Sequence, residues 1–550
     1  MWWSNCRQSR NFSTVCPQVK STKKAPSKFY RIVFLPHQKK KMSSKVDILI
    51  IGGGFSGICA GIQLLKHGIT NFQIVEMGSA LGGTWRDNHY PGAACDVRSH
   101  LYCFSFEPNP NWSRVYSGQS EIWDYMERCV DKYNLRPYIQ LNCTVKGMTW
   151  KEEECSWNVA CLLTQTTSTT TTQQSGDGTS KEKPLSSTIN IKANYVVNGA
   201  GVFSRISVPK FKGMNRFQGE SFHSARWNHD VDFKGKRVAV VGTGASAIQF
   251  LPPVAQDAGT VFVFQRSASW VLPRRDRDYS KTEQWVFANV PLALRLVRSS
   301  IYLMNELLGT FFVKYPAVLK LAERLVTERA IKKQVRDPIK QALLTPTYRL
   351  GCKRILLSNE WYPTMDRDNV HIVTTGIREV TETGIVTEDG TSYDVDVIIF
   401  GTGFLITDVS GLPPVLGRNG VNLAEMWERE STQAYYGLCI HHFPNLFVLI
   451  GPNTGLGHTS IVFMIECQVQ YMIQLLKIMA KEKKRIVEVK KEVQEEHNAE
   501  LQEKSKSTIW LTGCASWYLK DGRNSTLWPF HTVAYWWRLL SVDRRDYVMS

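Results

Sequence analysis

The feature that most constrains this chain is a glycine cluster that occurs twice, each time directly after a short apolar run. Val46-Asp47-Ile48-Leu49-Ile50-Ile51 leads into Gly52-Gly53-Gly54-Phe55-Ser56-Gly57, and Lys236-Arg237-Val238-Ala239-Val240-Val241 leads into Gly242-Thr243-Gly244-Ala245-Ser246-Ala247. Runs this short, rich in β-branched residues, are the pattern of strands buried on both faces. A helix-like stretch succeeds the first cluster from Gly57 to His67. Gly68 closes it, and Phe72-Gln73-Ile74-Val75 makes the next strand. The second cluster likewise precedes a helix and the strand Val261-Phe262-Val263-Phe264. Both are βαβ units with G-x-G-x-x-(Gly or Ala) at the turn. The expected fold class is therefore α/β, with two dinucleotide-binding, Rossmann-like domains.

In such a turn the first glycine permits the tight bend and the second lets backbone approach a pyrophosphate. The third small residue allows close helix–strand packing. Phosphates then meet the free N–H groups and dipole of the helix N-terminus. The two units differ at the end of their second strand. Glu76 stands 24 residues after Gly52, whereas Arg266, with Ser267 beside it, stands 24 residues after Gly242. A carboxylate accepts hydrogen bonds from ribose hydroxyls and repels a 2′-phosphate; a guanidinium holds that phosphate with charge-assisted bonds. The first unit is expected to bind an adenosine with a free 2′-hydroxyl, as in FAD, and the second NADPH in preference to NADH. The competing readings are a structural glycine turn and, for Arg266, a solvated cation at a strand end.

Length and charge narrow the remaining classes. At 550 residues two or three domains are expected. The net charge of +18 suggests a polyanion partner, but residues 1–45 alone carry eleven Lys or Arg and no acid, leaving +7 for the rest. That excess suits anionic cofactors, and without a zinc finger or RNP motif no nucleic-acid partner is expected. The acid-free N-terminus reads as a transit peptide or a disordered basic tail, with Met42 as an alternative start. A cytoplasmic location is expected, with a mitochondrial one as the alternative. Thirteen cysteines without C-x-x-C spacing indicate free thiols in a reducing compartment, and no metal site is expected. The most apolar region, Val286 to Leu321, is interrupted by Arg295, Arg298, Glu306 and Lys314. It reads as a buried or partly amphipathic helical pair, with peripheral membrane contact as the alternative and no transmembrane span. Thr164 to Lys183 is a low-complexity Thr/Ser/Gln loop.

The expected organisation is a basic segment over 1–44 and a first part of the FAD domain over 45–205. An NADPH domain occupies 206–384, with a helical insertion at about 279–350. A second part of the FAD domain with C-terminal helices fills 385–550.

Further motifs carry a family resemblance. Gly82-Gly83-Thr84-Trp85, Asn88, Tyr90-Pro91-Gly92, Cys95-Asp96 and Ser99 look like the flavin-side segment of Baeyer–Villiger monooxygenases. Phe217-Gln218-Gly219 through His223 to Trp227 matches that family's F-x-G-x-x-x-H-x-x-x-W, with Asn228 where the family usually has Pro or Asp. Gly351-Cys352-Lys353-Arg354 resembles its Lys-Arg pair. Asp396 to Phe404 resembles the D-x-x-x-x-A-T-G-F motif shared with N-oxygenating flavin monooxygenases, with Gly401 for alanine. Gly451 to His458 resembles a loop near the flavin ring. The similarity runs through residues 45–540 in consistent order.

The resemblance implies an NADPH-dependent flavoprotein monooxygenase. Its reduced FAD would form a C4a-peroxyflavin with molecular oxygen and insert one atom beside the carbonyl of a small-molecule ketone, giving an ester or lactone. Arg354 would stabilise the negative charge that develops, and Asp96 would orient it; these are the two expected catalytic residues. Gly52, Gly54, Phe55, Ser56, Gly57, Glu76, Gly83, Thr84, Trp85, Asp96, Val97, Tyr102, Val145, Asn453 and Gly455 are the expected FAD contacts. Gly242, Thr243, Gly244, Ala245, Ser246, Ala247, Arg266, Ser267, Lys353 and Arg354 are the expected NADPH contacts. His223 and Trp227 read as linker and domain-contact residues. N- or S-oxygenation by the same flavin chemistry is the alternative. A nucleotide-binding scaffold or redox sensor is a third possibility. A disulfide reductase lacks its cysteine pair. Substrate identity and oligomeric state are left open.

Overall fold

Two sheets of mainly parallel strands carry the molecule in the computed structural model, which describes residues 43–165, 185–314, 321, 323, 329–514 and 516–550. The basic N-terminus and the low-complexity Thr/Ser/Gln stretch lie outside the described residues, apart from their last and first few positions.

The first sheet is built from β1 (Lys45–Ile51), β2 (Phe72–Val75), β3 (Ile139–Gln140), β4 (Cys143–Lys151), β5 (Ser156–Gln165) and β6 (Leu185–Asn198). β6, β1, β2 and β3 are parallel neighbours, while β4 and β5 extend the sheet as an antiparallel flap. The second sheet contains β7 (Glu220–His223), β8 (Arg237–Val241), β9 (Thr260–Phe264), β10 (Val370–Val373) and β11 (Val397–Phe400), in the spatial order β10-β9-β8-β11-β7, all parallel. The chain then returns to the first sheet. β12 (Val415–Leu416) pairs with β4, and β13 (Leu446–Val448) pairs with β6. The first domain is thus discontinuous, as expected. The boundary expected at residue 385 is corrected: Val397–Phe400 is a central strand of the second sheet, so that domain extends past Phe400. The apolar run is legible as a strand, but which sheet it joins depends on partners far away in sequence.

Helix α1 (Phe55–Lys66) comes directly after the first glycine turn and buries Ile58, Ile62 and Leu64 completely. Its end has a left-handed Gly68, with the Ile69 N–H returning to the Leu64 carbonyl. α2 (Gln119–Lys132) packs beside it, and α3 (Ala247–Asp257) comes after the second turn. The inserted helices begin with α4 (Lys281–Asn289) and α5 (Pro291–Lys314). Among the described residues, α6 (Ile461–Glu482) is the one single helix long and apolar enough to cross a membrane. It lies in the core against α1, where Val469, Met472 and Leu475 are fully buried. Full burial of a side chain this size contributes roughly 1.5–3 kcal/mol, which fixes α6 as a structural member of the first domain. The last helix is α7 (Thr532–Arg538).

The two crossings between the domains run side by side. The Ser207 N–H donates to the Gly403 carbonyl at 2.8 Å, the Leu405 N–H to the Arg205 carbonyl at 3.0 Å, and Ile206 and Phe404 form an antiparallel bridge. Arg205 also donates to the carbonyls of Asp408 and Ser410.

Candidate active site

Both glycine turns are built the same way. Gly52 and Gly242 have φ of +98° and +101°, a region that strongly favours glycine. A Cβ on either would come within 2.5 or 2.7 Å of a carbonyl oxygen, Gly199 or Gly401, at the end of the neighbouring strand. A Cβ on Gly57 would stand 1.9 Å from the Gly52 carbonyl oxygen, and Ala247 at the equivalent place is fully buried. The middle glycines behave differently. A Cβ on Gly54 would meet nothing nearer than Gly83 Cα at 3.8 Å, and one on Gly244 nothing nearer than 4.0 Å. The protein's own packing does not demand glycine at these two positions. The open cradle in front of them is what a pyrophosphate would occupy. Neither α1 nor α3 has a side-chain cap or an acid in its first turn, so both N-termini present free N–H groups to an anion. The residues present therefore fit two dinucleotides.

Around the first turn, Glu76 is buried. Its Oε2 accepts the Gly53 N–H at 2.7 Å, and its Oε1 accepts the Gly78 N–H and the Arg86 guanidinium at 2.8 and 2.6 Å. A carboxylate offers about four acceptor sites, so three are spent on shaping the turn. Arg86 is a member of this cluster that the glycine spacing gives no means of finding. Gly83 faces Gly54 and opens the short helix Thr84–Asp87. The Trp85 indole N–H donates to the Tyr102 hydroxyl at 3.1 Å, and Phe55 packs edge-on against Tyr102. Ser56 is buried behind the turn, Val97 places its N–H on the Cys95 sulfur, and Val145 lies at an irregularity of β4. Asn453, at φ +57°, spends its amide donors on the Asn524 and Leu527 carbonyls, and the Gly455 N–H goes to Thr526. These two residues lock the 451–458 loop onto the C-terminal segment, while Asn453 Oδ1 is buried without a partner.

At the second turn, residues far apart in sequence come together. Lys353 donates from Nζ to Ser267 Oγ at 3.2 Å, and Thr243 donates from Oγ1 to the Ser267 carbonyl at 3.3 Å. The Lys353 ammonium is held below its usual pKa, by partial burial and then by the cation of exposed Arg266. Both cations stand where a negatively charged group at this turn would be attracted. Ala245 and Ser246 edge the same turn. Asn228 accepts the Asp230 N–H at 3.0 Å in a surface turn, so its departure from the family pattern falls outside this cluster.

Arg354, next in the chain, turns toward the first domain. Its Nη2 and Nε donate to Asp96 Oδ2 at 2.5 and 3.1 Å. Asp96, then burial in the opposite sense, set the guanidinium's pKa above its ordinary value, so the side chain stays cationic throughout the working pH range. Arg274, which the motifs do not single out, donates to the Tyr116 carbonyl at 3.1 Å and reaches the Cys95 carbonyl at 3.5 Å, bracing the backbone beside Asp96. Gln249 on α3 accepts from the Tyr90 hydroxyl at 2.9 Å and donates to the Ala94 carbonyl at 3.0 Å, docking this flavin-side segment onto the second domain. Trp227 packs against Tyr90 and Phe250 at the same seam, and His223 lies against Phe404 in a crossing strand. The reading of Cys352 as a free thiol is corrected: it forms a disulfide with Cys514, joining the Lys353-Arg354 loop to the C-terminal segment. A cavity of about 20 Å³, lined by Lys353, Tyr518, Trp510 and His458, lies beside this loop.

A family model described as flavin-binding monooxygenase-like matches residues 45–408. A Baeyer-Villiger monooxygenase of Pseudomonas aeruginosa is 42% identical over 501 residues, covering 90% of this chain and 89% of that protein. A solved structure of oxidized steroid monooxygenase bound to NADP superposes with a TM-score of 0.79 at 30% identity, covering 92% of this chain and 99% of that one. The crystal structure of OTEMO complexed with FAD and NADP gives a TM-score of 0.79 at 26% identity, with coverages of 92% and 99%.

Proposed function

The chain belongs to the flavin-binding monooxygenase-like family, and on that premise we propose that the Arg354–Asp96 pair is the reaction centre of a Baeyer–Villiger oxidation. The protein is an FAD- and NADPH-dependent monooxygenase. Bound FAD would supply the redox chemistry, with NADPH as the source of hydride and molecular oxygen as the source of the atom transferred to a ketone. The chain's own residues do the rest. Gly54 and the α1 N-terminus hold the FAD pyrophosphate, and Glu76 takes a ribose hydroxyl with its remaining acceptor site. Gly244, Arg266, Ser267 and Lys353 hold NADPH, with the two cations on its 2′-phosphate.

The observation that carries the reading is Arg354. It is a permanent cation whose neighbour Lys353 touches the NADPH side and whose partner Asp96 belongs to the flavin side. Such a cation lowers the energy of an anionic oxygen adduct on the substrate carbonyl. Asp96 is a positioning residue: it fixes the guanidinium plane through two hydrogen bonds to one oxygen. Trp510, Tyr518 and Trp528 give the small cavity beside the Lys353-Arg354 loop an aromatic wall.

The test is incubation with NADPH, oxygen and parallel panels of ketones, thioethers and amines. Esters or lactones are expected; heteroatom oxides alone would reject the carbonyl reading. Arg354→Ala should retain yellow FAD and NADPH-dependent bleaching while losing ester formation by at least ~100-fold. Unchanged product formation would remove Arg354 from the centre.

A further inference from the structure

Helix α5 carries large apolar side chains on its exposed side as well as on its buried side, where Leu294 and Ile301 lie. Two of its charged side chains point into the protein. Arg298 donates to the carbonyls of His100 and Cys103 at 2.7 and 3.2 Å, and Glu306, only 7% exposed, is hydrogen-bonded to Thr532 and His458. Its opposite face carries Leu292, Leu296, Leu303, Met304, Leu307 and Leu308, all about half exposed or more. Arg295 and Ser299 are exposed among them, yet a surface helix ordinarily keeps so many apolar side chains against the core. The sequence reads this most apolar region as buried or partly amphipathic, and the outward face departs from the buried alternative. The patch does not stop at α5. Trp285 on α4 and Trp537 on α7 are 62% and 69% exposed. α4 and α5 meet at 107°, so neither runs on from the other as a straight rod. Scattered exposed leucines need no explanation, but a grouped set marks an interaction surface.

Charge identifies the partner. From Lys281 to Lys340 the sequence holds eleven Lys or Arg against five Asp or Glu. Arg329, Lys332 and Lys333 are exposed among the described residues. Exposed leucine and tryptophan on helices that also expose Lys281 and Arg295 suit the interface of an anionic bilayer, where apolar side chains enter the acyl boundary and cations meet lipid phosphates. Two copies of this face would bring like charges together, which disfavours self-association.

The patch also leads inward. An open groove of about 560 Å³ is walled by Leu307, Thr310, Val533, Ala534 and Trp537. Glu306 and His531 also line it, and Glu306 stands 3.4 Å from His531 and 3.2 Å from His458. His458 and His531 also line the small cavity that contains Lys353. His531 lines both, so the groove on the patch and the small cavity beside the Lys353-Arg354 loop share that side chain as a wall.

We propose that the outer faces of α5 and α7 dock on an anionic lipid bilayer, and that the groove between them admits apolar ketones from that bilayer to the reaction centre. The substrate half of this proposal rests on the Baeyer–Villiger reading; the docking half does not. Holoenzyme is floated with vesicles of phosphatidylcholine alone and with vesicles that also contain phosphatidylserine. Binding is expected, and it should be stronger with phosphatidylserine. The double variant Leu296→Lys/Leu303→Lys should lose vesicle binding by at least ~10-fold and keep its flavin absorbance and its rate on a water-soluble ketone. Its rate on a ketone carried in vesicles should fall by the same factor. Arg329→Glu/Lys332→Glu/Lys333→Glu should erase the preference for phosphatidylserine. Absence of vesicle binding by the wild type, or equal binding by the leucine variant, overturns the docking. A solution oligomer that the leucine variant dissociates assigns the face to a second copy and overturns it as well. Vesicle binding without any ketone turnover would leave docking standing and reject the Baeyer–Villiger reading instead.

Discussion

The two glycine turns show how one residue type serves two physical ends. Gly57→Ala places a methyl group 1.9 Å from a backbone oxygen, so the first βαβ unit must distort and soluble protein should be lost. Gly54→Ala meets only an ordinary contact at 3.8 Å. It should fold and melt like the wild type but purify colourless, because the methyl fills the space a pyrophosphate needs. A yellow Gly54→Ala protein would mean that the cradle is not where FAD binds. At the other turn, Arg266→Ala removes one of two cations. KM for NADPH should rise roughly 10- to 100-fold, the scale of a lost charge-assisted bond, with KM for NADH nearly unchanged. Equal losses for both would show that Arg266 does not read the phosphate. Glycine spacing and the residue 24 positions on are enough to single these positions out. Arg86 and Arg274 are not legible, because an arginine in a polar stretch carries no local sign of the carboxylate or carbonyl it will meet.

Elements are legible where the pattern is local and illegible where the partner is remote. The apolar run ending at Phe400 reads as a strand, yet its neighbours β7 and β8 begin more than 150 residues earlier, and no periodicity encodes that choice. The link between Cys352 and Cys514 is the same kind of fact, with a sequence separation of 162. Tryptic digestion without reductant should yield the two peptides joined, and reductant should separate them. By chain-entropy reasoning a loop of this size contributes up to about 5 kcal/mol. Reduction should therefore lower the melting temperature and make the 510–518 segment the first site of proteolysis. Separate peptides from air-oxidised protein would show both residues as free thiols.

Across the whole molecule, stability is tied to acid through three histidines. Burial pushes His100, His223 and His497 down to about 4, against an unfolded value of about 6.5. Below that value the unfolded chain binds protons the native state refuses, so their contribution is complete above about pH 6.5 and is lost as pH falls toward 4. The melting temperature should be flat near neutrality and fall steadily below it, and His497→Gln should make the fall shallower. A profile level from pH 7 to 4 would show that these rings are protonated in the folded protein. The overall plan of two nucleotide domains is written plainly in the sequence, but the way they are joined is not. The paired crossings at Ser207–Gly403 and Arg205–Leu405 tie the halves along one line, and the Gln249 contacts and the Arg354–Asp96 pair tie them again at the seam. Any parting of the halves would have to break the Arg354–Asp96 pair, so the cation regains its place only on full reclosure.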